Sequence, residues 1–330
     1  MEKKLFIASN SYDGINTESV VHHIKTSSDC DVFRYNADKM LVGAAAIELM
    51  TNQQESVFVV KDEQGRECYV QDIASAWYRR PNYFGPSKEE TSLNKALHRQ
   101  AMVAQEAYFN EIPENRWLND PNLMTKSSKK MAQLDIAKKL GLKVPNTIVT
   151  NKPEDLKAFL AEYKNIIFKP LSDFYFYDSE HKLKTLFSTI INIDTFEDFH
   201  LIKNAPVLLQ EYIAKDFEYR VTVVGEEVFV VKVVTDERSK DDWRRHQFSK
   251  SVVFKISEDN DENIRQFCID YVKTSGLKYG TFDIIHSMEG EDYFLEINPN
   301  GQWYWLEHSL KLPISKAIAK SLISIFEMNQ

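Results

Sequence analysis

Apolar residues recur at strand or helix spacing along the first third of the chain. Short apolar runs predict strands over residues 5–8 and 31–35, with a helix over 17–25 between them. A hairpin is predicted over 57–70, turning at a Gln-Gly pair. A further helix is predicted over 93–109, and its apolar face would hold Leu93, Leu97, Ala101, Ala104 and Tyr108. Together these elements predict an N-terminal α/β unit.

The middle of the chain alternates helices and strands. Apolar residues from Met131 to Leu140 recur at helical spacing, so we predict a helix that Ser127 or Ser128 caps and Gly141 ends. Pro153 stands at a first-turn position of the next helix. The predicted strands are 145–150, 165–169 and 186–193, and the further predicted helices are 153–163 and about 196–202.

The last third of the chain is rich in strands. The predicted strands are 207–212, 219–224, 228–234, 252–256, 281–285 and 293–298, with helices near 261–275 and 313–326. Mixed strands that follow a compact α/β subdomain predict two lobes closing on a ligand. The predicted units are 1–125, 126–206 and 207–330, in an α/β (α+β) class with mixed sheets.

Composition and charge narrow the classes of function. A chain of 330 residues predicts two or three domains, and 43% apolar with 27% charged residues is typical of a soluble globular protein. The net charge of −8, from 41 basic and 49 acidic residues, argues against nucleic acid as the main partner.

The cysteines and the N-terminus indicate a compartment. Cys30, Cys68 and Cys268 have no zinc-site spacing, which predicts buried or inert thiols in a reducing environment. The first residues have too short an apolar core for a signal peptide. No run approaches the ~20 apolar residues of a membrane span. We therefore predict a cytoplasmic protein that is not a membrane protein.

Polar residues on two C-terminal strands suggest a metal site. Glu296 and Asn298 alternate along one strand and should project from the same side. A hairpin centred on Glu289-Gly290 places Asp283 opposite Glu296, with Cβ atoms ~5 Å apart. Two carboxylates and an amide carbonyl suit Mg²⁺ whose octahedron is completed by triphosphate oxygens. A short Glu-x-Asn motif is more often a solvated strand end, and the Asp across the hairpin favours the metal site.

Two lysines stand where phosphates could bind. Lys130 lies at the start of the middle helix, and Lys169 ends an apolar strand before Pro170. A compact ammonium group suits the α- and β-phosphates of a nucleotide. The alternative is that both lysines are solvated, as most lysines are.

A nucleoside could bind beside the strand at 207–212. The peptide groups at its end can hydrogen-bond an adenine edge while Ile213 packs on the ring, and the Glu218 carboxylate can take both ribose hydroxyls. The alternative is a strand that simply leaves the core. No glycine occurs between Lys169 and Thr189, so the chain has neither a Walker A nor a Rossmann phosphate loop there.

The order of these features resembles the ATP-grasp superfamily, to which D-alanine ligases and glutathione synthetase belong. A closer resemblance, over nearly the whole chain, is to the microviridin-type graspetide synthetases, which cyclise ribosomally made peptides. The motifs that carry it are Trp77-Tyr-Arg-Arg-Pro81, Lys169-Pro-Leu171, Gln210-Glu-Tyr-Ile213, Asp242-Trp-Arg244, Asn298-Pro-Asn-Gly-Gln302 and Trp305-Leu-Glu307.

The resemblance implies an ATP-grasp fold, with residues 1–125 preceding it, and specific roles for residues. Phosphates would be bound by Lys130 and Lys169, adenine by Glu211, Tyr212 and Ile213, ribose by Glu218, and Mg²⁺ by Asp283, Glu296 and Asn298. Arg220 would meet the γ-phosphate or the acyl group. Arg244, in the charged run at 236–246, would contact the acidic side chain to be activated; a solvated loop is the alternative.

Three functions remain open from the sequence. The first is a macrocyclase that uses ATP and Mg²⁺ to join Asp or Glu side chains of a precursor peptide, with leader and core, to hydroxyls or amines. The second is a small-molecule carboxylate–amine ligase, and the third is a peptide-binding module without turnover. The resemblance also implies a homodimer. His246 and His286 are candidate bases, and Arg79 and Arg80 would contact an anionic ligand or form inter-domain ion pairs.

Overall fold

A three-stranded parallel sheet begins the fold. In the computed structural model, β1 (Lys4–Ser9) lies between β2 (Asp31–Asn36) and β6 (Ile73–Tyr78), and α1 (Gly14–Ser27) connects β1 to β2. Leu5 to Ser9 are all buried, as is usual for a parallel strand covered on both faces. The structure describes residues 2–81, 91–172, 175–177, 182–185, 188–194, 199–236, 251–257 and 261–330.

A small antiparallel sheet lies next in the chain. It consists of β3 (Ala46–Thr51), β4 (Ser56–Lys61) and β5 (Glu67–Tyr69). The predicted hairpin over 57–70 is confirmed, with Gly65 in the left-handed region at its turn. The sequence did not predict β3 or β6. The Ala and Ser residues of β6 have low strand propensity, and burial in the sheet overrides it.

Two predicted helices form, but details of both predictions were wrong. In α2 (Ser92–Asn110), Leu93 and Leu97 of the expected apolar face are 65% and 52% exposed, and burial is confined to the C-terminal half of the helix. The middle helix is α4 (Lys130–Lys139), whose N-cap is Lys129 and not a serine. The preceding serines belong to an unpredicted helix, α3 (Pro121–Ser127), and its C-cap.

A four-stranded antiparallel sheet follows. Its strand order is β11-β8-β12-β7, and α5 (Pro153–Tyr163) contributes to the same core. The strands are β7 (Thr147–Thr150), β8 (Asn165–Lys169), β11 (Thr189–Asn192) and β12 (Val207–Glu211). The predictions for α5 and β8 are confirmed at both ends.

The strand predicted over 186–193 is confirmed as β11 (Thr189–Asn192), and residues 186 and 187 lie outside the described residues. The sequence did not predict the antiparallel pair that precedes it, β9 (Tyr175–Tyr177) and β10 (Leu183–Thr185). Part of the helix predicted near 196–202 lies outside the described residues, and Phe199–Asn204 form a 3₁₀ helix.

A five-stranded antiparallel sheet with the order β15-β14-β13-β16-β17 completes the fold. The strands are β13 (Lys215–Val224), β14 (Glu227–Thr235), β15 (Val252–Ile256), β16 (Tyr279–Ser287) and β17 (Asp292–Asn298). The helices are α6 (Glu262–Ser275), α7 (Tyr304–Leu310) and α8 (Ile314–Met328). These sheets and helices confirm the predicted mixed α/β class.

The last helix returns to the first sheet. Buried residues of α8, including Ile314, Ile318 and Leu322, share one core with Leu5 and Ile7 of β1. The predicted domain boundaries remain predictions, and this core connects the two ends of the chain. None of the helices in the described part of the chain is long and apolar enough to span a membrane.

Two of the three cysteines are protected by burial. Burial raises the pKa of the Cys68 thiol to about 12 and raises the pKa of the Cys268 thiol well above its usual range. Cys30 is partly exposed. Because the thiolate is the reactive form, we expect a disulfide reagent to label Cys30 alone in the native protein and all three thiols after denaturation. Labelling measured by mass spectrometry, with Cys30→Ser as control, tests this, and a modified Cys68 or Cys268 in native protein would contradict it.

Candidate active site

A cleft of about 800 Å³ lies between the four-stranded and five-stranded sheets, beside the start of α4. All nine residues predicted to bind nucleotide or metal line it. They are Lys130, Lys169, Glu211, Tyr212, Ile213, Glu218, Asp283, Glu296 and Asn298. The structure therefore brings together residues that lie up to 168 positions apart in the sequence (298 − 130).

Three charged side chains form a row across the five-stranded sheet. Arg220 of β13 pairs with Asp283 of β16, and Asp283 pairs with Glu296 of β17. One guanidinium nitrogen of Arg220, Nη1, donates to both carboxylate oxygens of Asp283 at 2.8 and 2.9 Å. Because directly paired positions share a face of the sheet, the row presents one cation and two carboxylates to the same side.

The predicted pairing of Asp283 with Glu296 is confirmed, and Gly290 lies in the turn as predicted, but the register beside the turn differs from the predicted one by one residue. Near the turn, His286 pairs with Asp292, not with Tyr293. The register shifts between Asp283 and Ile284, and this leaves Leu295 as the extra residue of a β-bulge. Without the bulge, Asp283 would face Leu295.

Lys130 reaches the row from the first turn of α4. Its Nζ donates to Glu296 Oε2 at 2.6 Å, and both side chains are partly exposed to the cleft. Gln133, one turn later, donates to the Ile297 carbonyl at 2.8 Å and accepts from the Ile297 amide at 3.2 Å. The hydrogen bonds between the Gln133 side chain and the Ile297 backbone hold α4 against β17, and they thereby position Lys130 on the same helix.

Lys169 enters the cleft from the four-stranded sheet. It is the last residue of β8, and its Nζ donates to Gln210 Oε1 of β12 at 2.7 Å. Gln210 Nε2 donates in turn to Thr147 Oγ1 of β7 at 2.9 Å. The side chain of Lys169 is therefore oriented by a chain of hydrogen bonds across three neighbouring strands.

The end of β12 and the residues that follow it form one wall of the cleft. The Glu211 amide donates to the Asn146 carbonyl at 2.8 Å, and the Tyr212 amide donates to the Asn165 carbonyl at 3.3 Å. These two N–H groups are used within the protein, so an adenine edge would meet other peptide groups of the segment. Ile213 is buried to 9% exposure and forms an apolar surface in the cleft together with Val149 and Ile167.

Glu218 is buried in an ion pair that the sequence analysis missed. The Lys215 ammonium donates to Glu218 Oε1, and both side chains are less than one-tenth exposed. Lys215 lines the cleft as well. A lysine three residues before a glutamate was the available signal, but on an irregular strand start it gives no orientation.

Each carboxylate of the row is thus matched by a cation from a different element. Ion pairing of this kind offsets part of the cost of desolvating the charges. Among the described residues, no group of three or more His, Cys, Asp or Glu side chains has the arrangement of a metal site. The donors present are two carboxylates and the Asn298 carboxamide, which fits Mg²⁺ held jointly with phosphate oxygens and does not fit an all-protein metal cage.

Two further predictions concern residues outside the cleft or outside the described structure. His286, next to the lining residue Ile285 on β16, stacks on Phe217 with ring centroids 4.6 Å apart and lies 2.7 Å from Asp292 Oδ1. Neither His286 nor Arg220 is among the residues that line the cleft, and the roles predicted for both remain predictions. Arg244 and His246 lie outside the described residues.

Comparison with known proteins tests the predicted ATP-grasp fold. The family model described as a RimK-like ATP-grasp domain matches residues 127–322. No curated protein matches the chain. A RiPP-associated ATP-grasp ligase from Chryseobacterium gregarium, solved with ADP and a leader and core peptide, is similar at a TM-score of 0.85 and 25% identity, covering 98% of this chain and 97% of that one.

Two more distant structures are also similar. The macrocyclase MdnC from Microcystis aeruginosa, bound with the precursor peptide MdnA, has a TM-score of 0.84 at 24% identity, covering 97% of this chain and 99% of that one. D-alanyl-alanine synthetase A from Vibrio cholerae has a TM-score of 0.61 at 12% identity, covering 99% of both chains. The predicted ATP-grasp fold is confirmed. The matched domain makes up more than half of the sequence, and the chain belongs to the RimK-like ATP-grasp family.

Proposed function

We propose that this protein is an ATP-dependent ligase that activates Asp or Glu side chains of a ribosomal precursor peptide and closes ester or amide macrocycles. The observation that carries the proposal is the full-length similarity to a ligase solved with ADP and a leader and core peptide. The similarity includes the region before residue 127, which the ATP-grasp family model does not match. The second structure with a bound precursor peptide supports the fold over the same length.

The cleft supports nucleotide binding through groups of this chain. Lys130 reaches it from helix α4 and Lys169 from the four-stranded sheet. On binding ATP, Lys130 would exchange Glu296, and Lys169 would exchange Gln210, for phosphate oxygens. Ile213 supplies an apolar face for adenine. Glu218 would accept the ribose hydroxyls, with Lys215 compensating its buried charge.

Asp283, Glu296 and Asn298 would hold Mg²⁺. Bound there, the ion would neutralise charge on the triphosphate and polarise the phosphoryl oxygens. The two carboxylates belong to rigid neighbouring strands, and Asn298 ends one of them. Their spacing is therefore set by the sheet and not by mobile loops.

The proposed chemistry requires no enzyme nucleophile. A substrate carboxylate attacks the γ-phosphate, releasing ADP and forming an acyl-phosphate, and a hydroxyl or amine then displaces inorganic phosphate. The main obstacle is repulsion between the carboxylate and the triphosphate. Lys130, Lys169 and Arg220 reduce that repulsion, so positioning and electrostatic stabilisation supply the rate enhancement.

Ribose recognition by Glu218 can be tested directly. We expect Glu218→Gln to weaken ATP binding about tenfold, since a hydrogen bond to a charged group contributes roughly 1.5–3 kcal/mol. The variant should also lower the melting temperature, because Lys215 would keep a buried charge without its ionic partner. Binding of ATP and of 2′-deoxy-ATP should be measured by calorimetry for both proteins.

The comparison of ATP with 2′-deoxy-ATP separates loss of ribose binding from loss of stability. Wild-type protein should prefer ATP over 2′-deoxy-ATP, and Glu218→Gln should lose most of that preference. An unchanged preference would contradict the ribose assignment, even if the variant is less stable.

The proposed function is tested with a candidate precursor peptide. Phosphate release together with loss of one water mass per link, measured by mass spectrometry, would support a macrocyclase. Phosphate release with free amino acids and no peptide product would instead indicate a small-molecule ligase. Peptide binding without phosphate release would indicate a binding module.

Other properties stay predictions. Assembly as a homodimer is expected from the family resemblance, and light scattering of the purified protein tests it. The cytoplasmic location is likewise a prediction from the sequence. The contact of Arg244 with the acidic substrate side chain is proposed from the same resemblance.

A further inference from the structure

Arg79, which follows β6 in the N-terminal sheet, is fully buried and ion-paired. Its Nε donates to Asp13 Oδ2 at 2.7 Å and its Nη2 donates to Asp13 Oδ1 at 3.1 Å. The two side chains are 0% and 5% exposed. A buried arginine is costly unless its charge and donors are matched, and this two-point pairing fixes the orientation of the guanidinium plane.

The remaining terminal nitrogen of Arg79 points at the other end of the chain. Nη1 donates to the Asn300 carbonyl at 3.1 Å and to Asn300 Oδ1 at 3.0 Å. The guanidinium also lies 4.7 Å from the ring centroid of Trp303. Arg79 therefore holds the segment that directly follows β17, across 221 positions of sequence.

Asn300 connects this arginine to the predicted metal ligand. The Asn300 amide donates to Asn298 Oδ1 at 2.9 Å, and the Gly301 amide donates to the Asn298 carbonyl at 3.2 Å. A hydrogen bond to one lone pair of the Asn298 carboxamide oxygen orients the group and leaves its other lone pair for a cation. The position of the Asn300 amide therefore sets the orientation of Asn298 Oδ1.

The segment that follows β17 forms a turn at residues 299–301, and the side of this turn away from Arg79 is closely packed. A Cβ on Gly301 would lie 2.0 Å from Thr281 Oγ1, so only glycine fits there. The Tyr279 hydroxyl donates to the Gly301 carbonyl at 2.7 Å. Asn119 Nδ2 donates to the Pro299 carbonyl at 3.0 Å. The turn is consequently held between β16 and Arg79 and has little room to move.

We propose that Arg79 is a positioning residue for Mg²⁺ binding, acting through Asn300 on the carboxamide of Asn298. This inference rests on the proposed function, in which Asn298 is a metal ligand. Arg79 is not among the residues that line the cleft, so its effect would pass through the turn and not through direct contact with a substrate. Arg79 is the first arginine of the Trp77-Tyr-Arg-Arg-Pro81 motif, and the proposal gives that arginine a specific role.

The test is a titration of the full chain with Mn²⁺ in the presence of saturating ADP. Electron paramagnetic resonance measures the fraction of Mn²⁺ that is bound. Arg79→Lys keeps a charge beside Asp13 but cannot make the paired donations and also reach Asn300. We expect it to weaken Mn²⁺ binding about tenfold, the usual scale for groups that orient a metal ligand. Asn300→Ala leaves the buried ion pair intact, and we expect it to weaken Mn²⁺ binding about threefold, as loss of one hydrogen bond would.

The matched control is Arg116→Lys. Arg116 donates to the carbonyl of Ile73, at the opposite end of the same strand, at 2.6 Å. We expect its Mn²⁺ affinity to equal that of the wild type, whatever its melting temperature. Melting temperatures of all variants separate loss of fold from loss of metal binding.

Asn298→Ala distinguishes this inference from the function on which it rests. Unchanged Mn²⁺ affinity in Asn298→Ala would overturn the metal assignment itself. Weaker binding in Asn298→Ala with wild-type affinity in Arg79→Lys would overturn only the positioning role. If Arg79→Lys does not fold, Asn300→Ala decides, and wild-type affinity in that variant overturns the inference.

Discussion

Replacing Glu296 with glutamine is expected to reduce product formation by at least about 100-fold while the protein stays folded. The amide keeps the shape of the side chain but removes one anionic ligand for Mg²⁺. It also leaves Lys130 without its carboxylate partner at 2.6 Å. Because both side chains are about one-quarter exposed, that ion pair should contribute no more than about 1 kcal/mol to stability.

Product formation should be measured by phosphate release and by the mass of the linked peptide, over a range of Mg²⁺ concentrations. Glu291→Gln is a matched control, since Glu291 lies in the same hairpin and pairs with Lys143 at 3.0 Å on the surface. The control should retain wild-type activity. Full activity of Glu296→Gln at saturating Mg²⁺ would contradict the metal assignment.

Replacing Arg220 with lysine is expected to lower kcat by about 100-fold or more with little change in ADP affinity. A lysine ammonium can still pair with Asp283, because in the structure a single nitrogen of Arg220 makes both contacts. It cannot reproduce the planar set of donors that an arginine offers to a phosphoryl or acyl group. The variant therefore separates support of Asp283 from stabilisation of the transferring group.

The outcome depends on which role Arg220 has. Wild-type kcat in Arg220→Lys would mean that the arginine serves Asp283 alone. A loss of activity that high Mg²⁺ restores would lead to the same conclusion. Arg265→Lys is the control, because Arg265 lies on the helix that packs against the same sheet and donates to the Val228 carbonyl at 2.8 Å. Single-turnover kinetics and ADP calorimetry are the required measurements.

Local patterns predicted most of the regular elements. Pro153 at a helix start and an Ile-Ile-Phe run before Lys169 place α5 and β8 at their observed ends, because first-turn prolines and short apolar runs act locally. The failures arise where burial depends on tertiary contacts. The apolar spacing in α2 predicts a helix correctly, but it says nothing about which half of the helix has a partner.

The candidate site was predictable as a set of residues but not as an arrangement. Asp283, Glu296 and Asn298 were identified from strand alternation and one turn signal. Asp283 faces Glu296 only because of the bulge at Leu295, which offsets a register that differs by one residue from the predicted one beside the turn. No residue in that stretch predicts the bulge, since leucine at position 295 is common in regular strands.

The sequence alone established the kinds of donors and the order of most elements, because residue chemistry and short-range periodicity do not depend on the rest of the fold. The tertiary structure alone decided which charges neutralise one another. Lys130 meets Glu296 from 166 positions away, and Arg79 reaches Asn300 from 221 positions away. Such pairings follow from sheet register and helix packing, and the energy of an ion pair depends on the burial and geometry that only the folded chain creates.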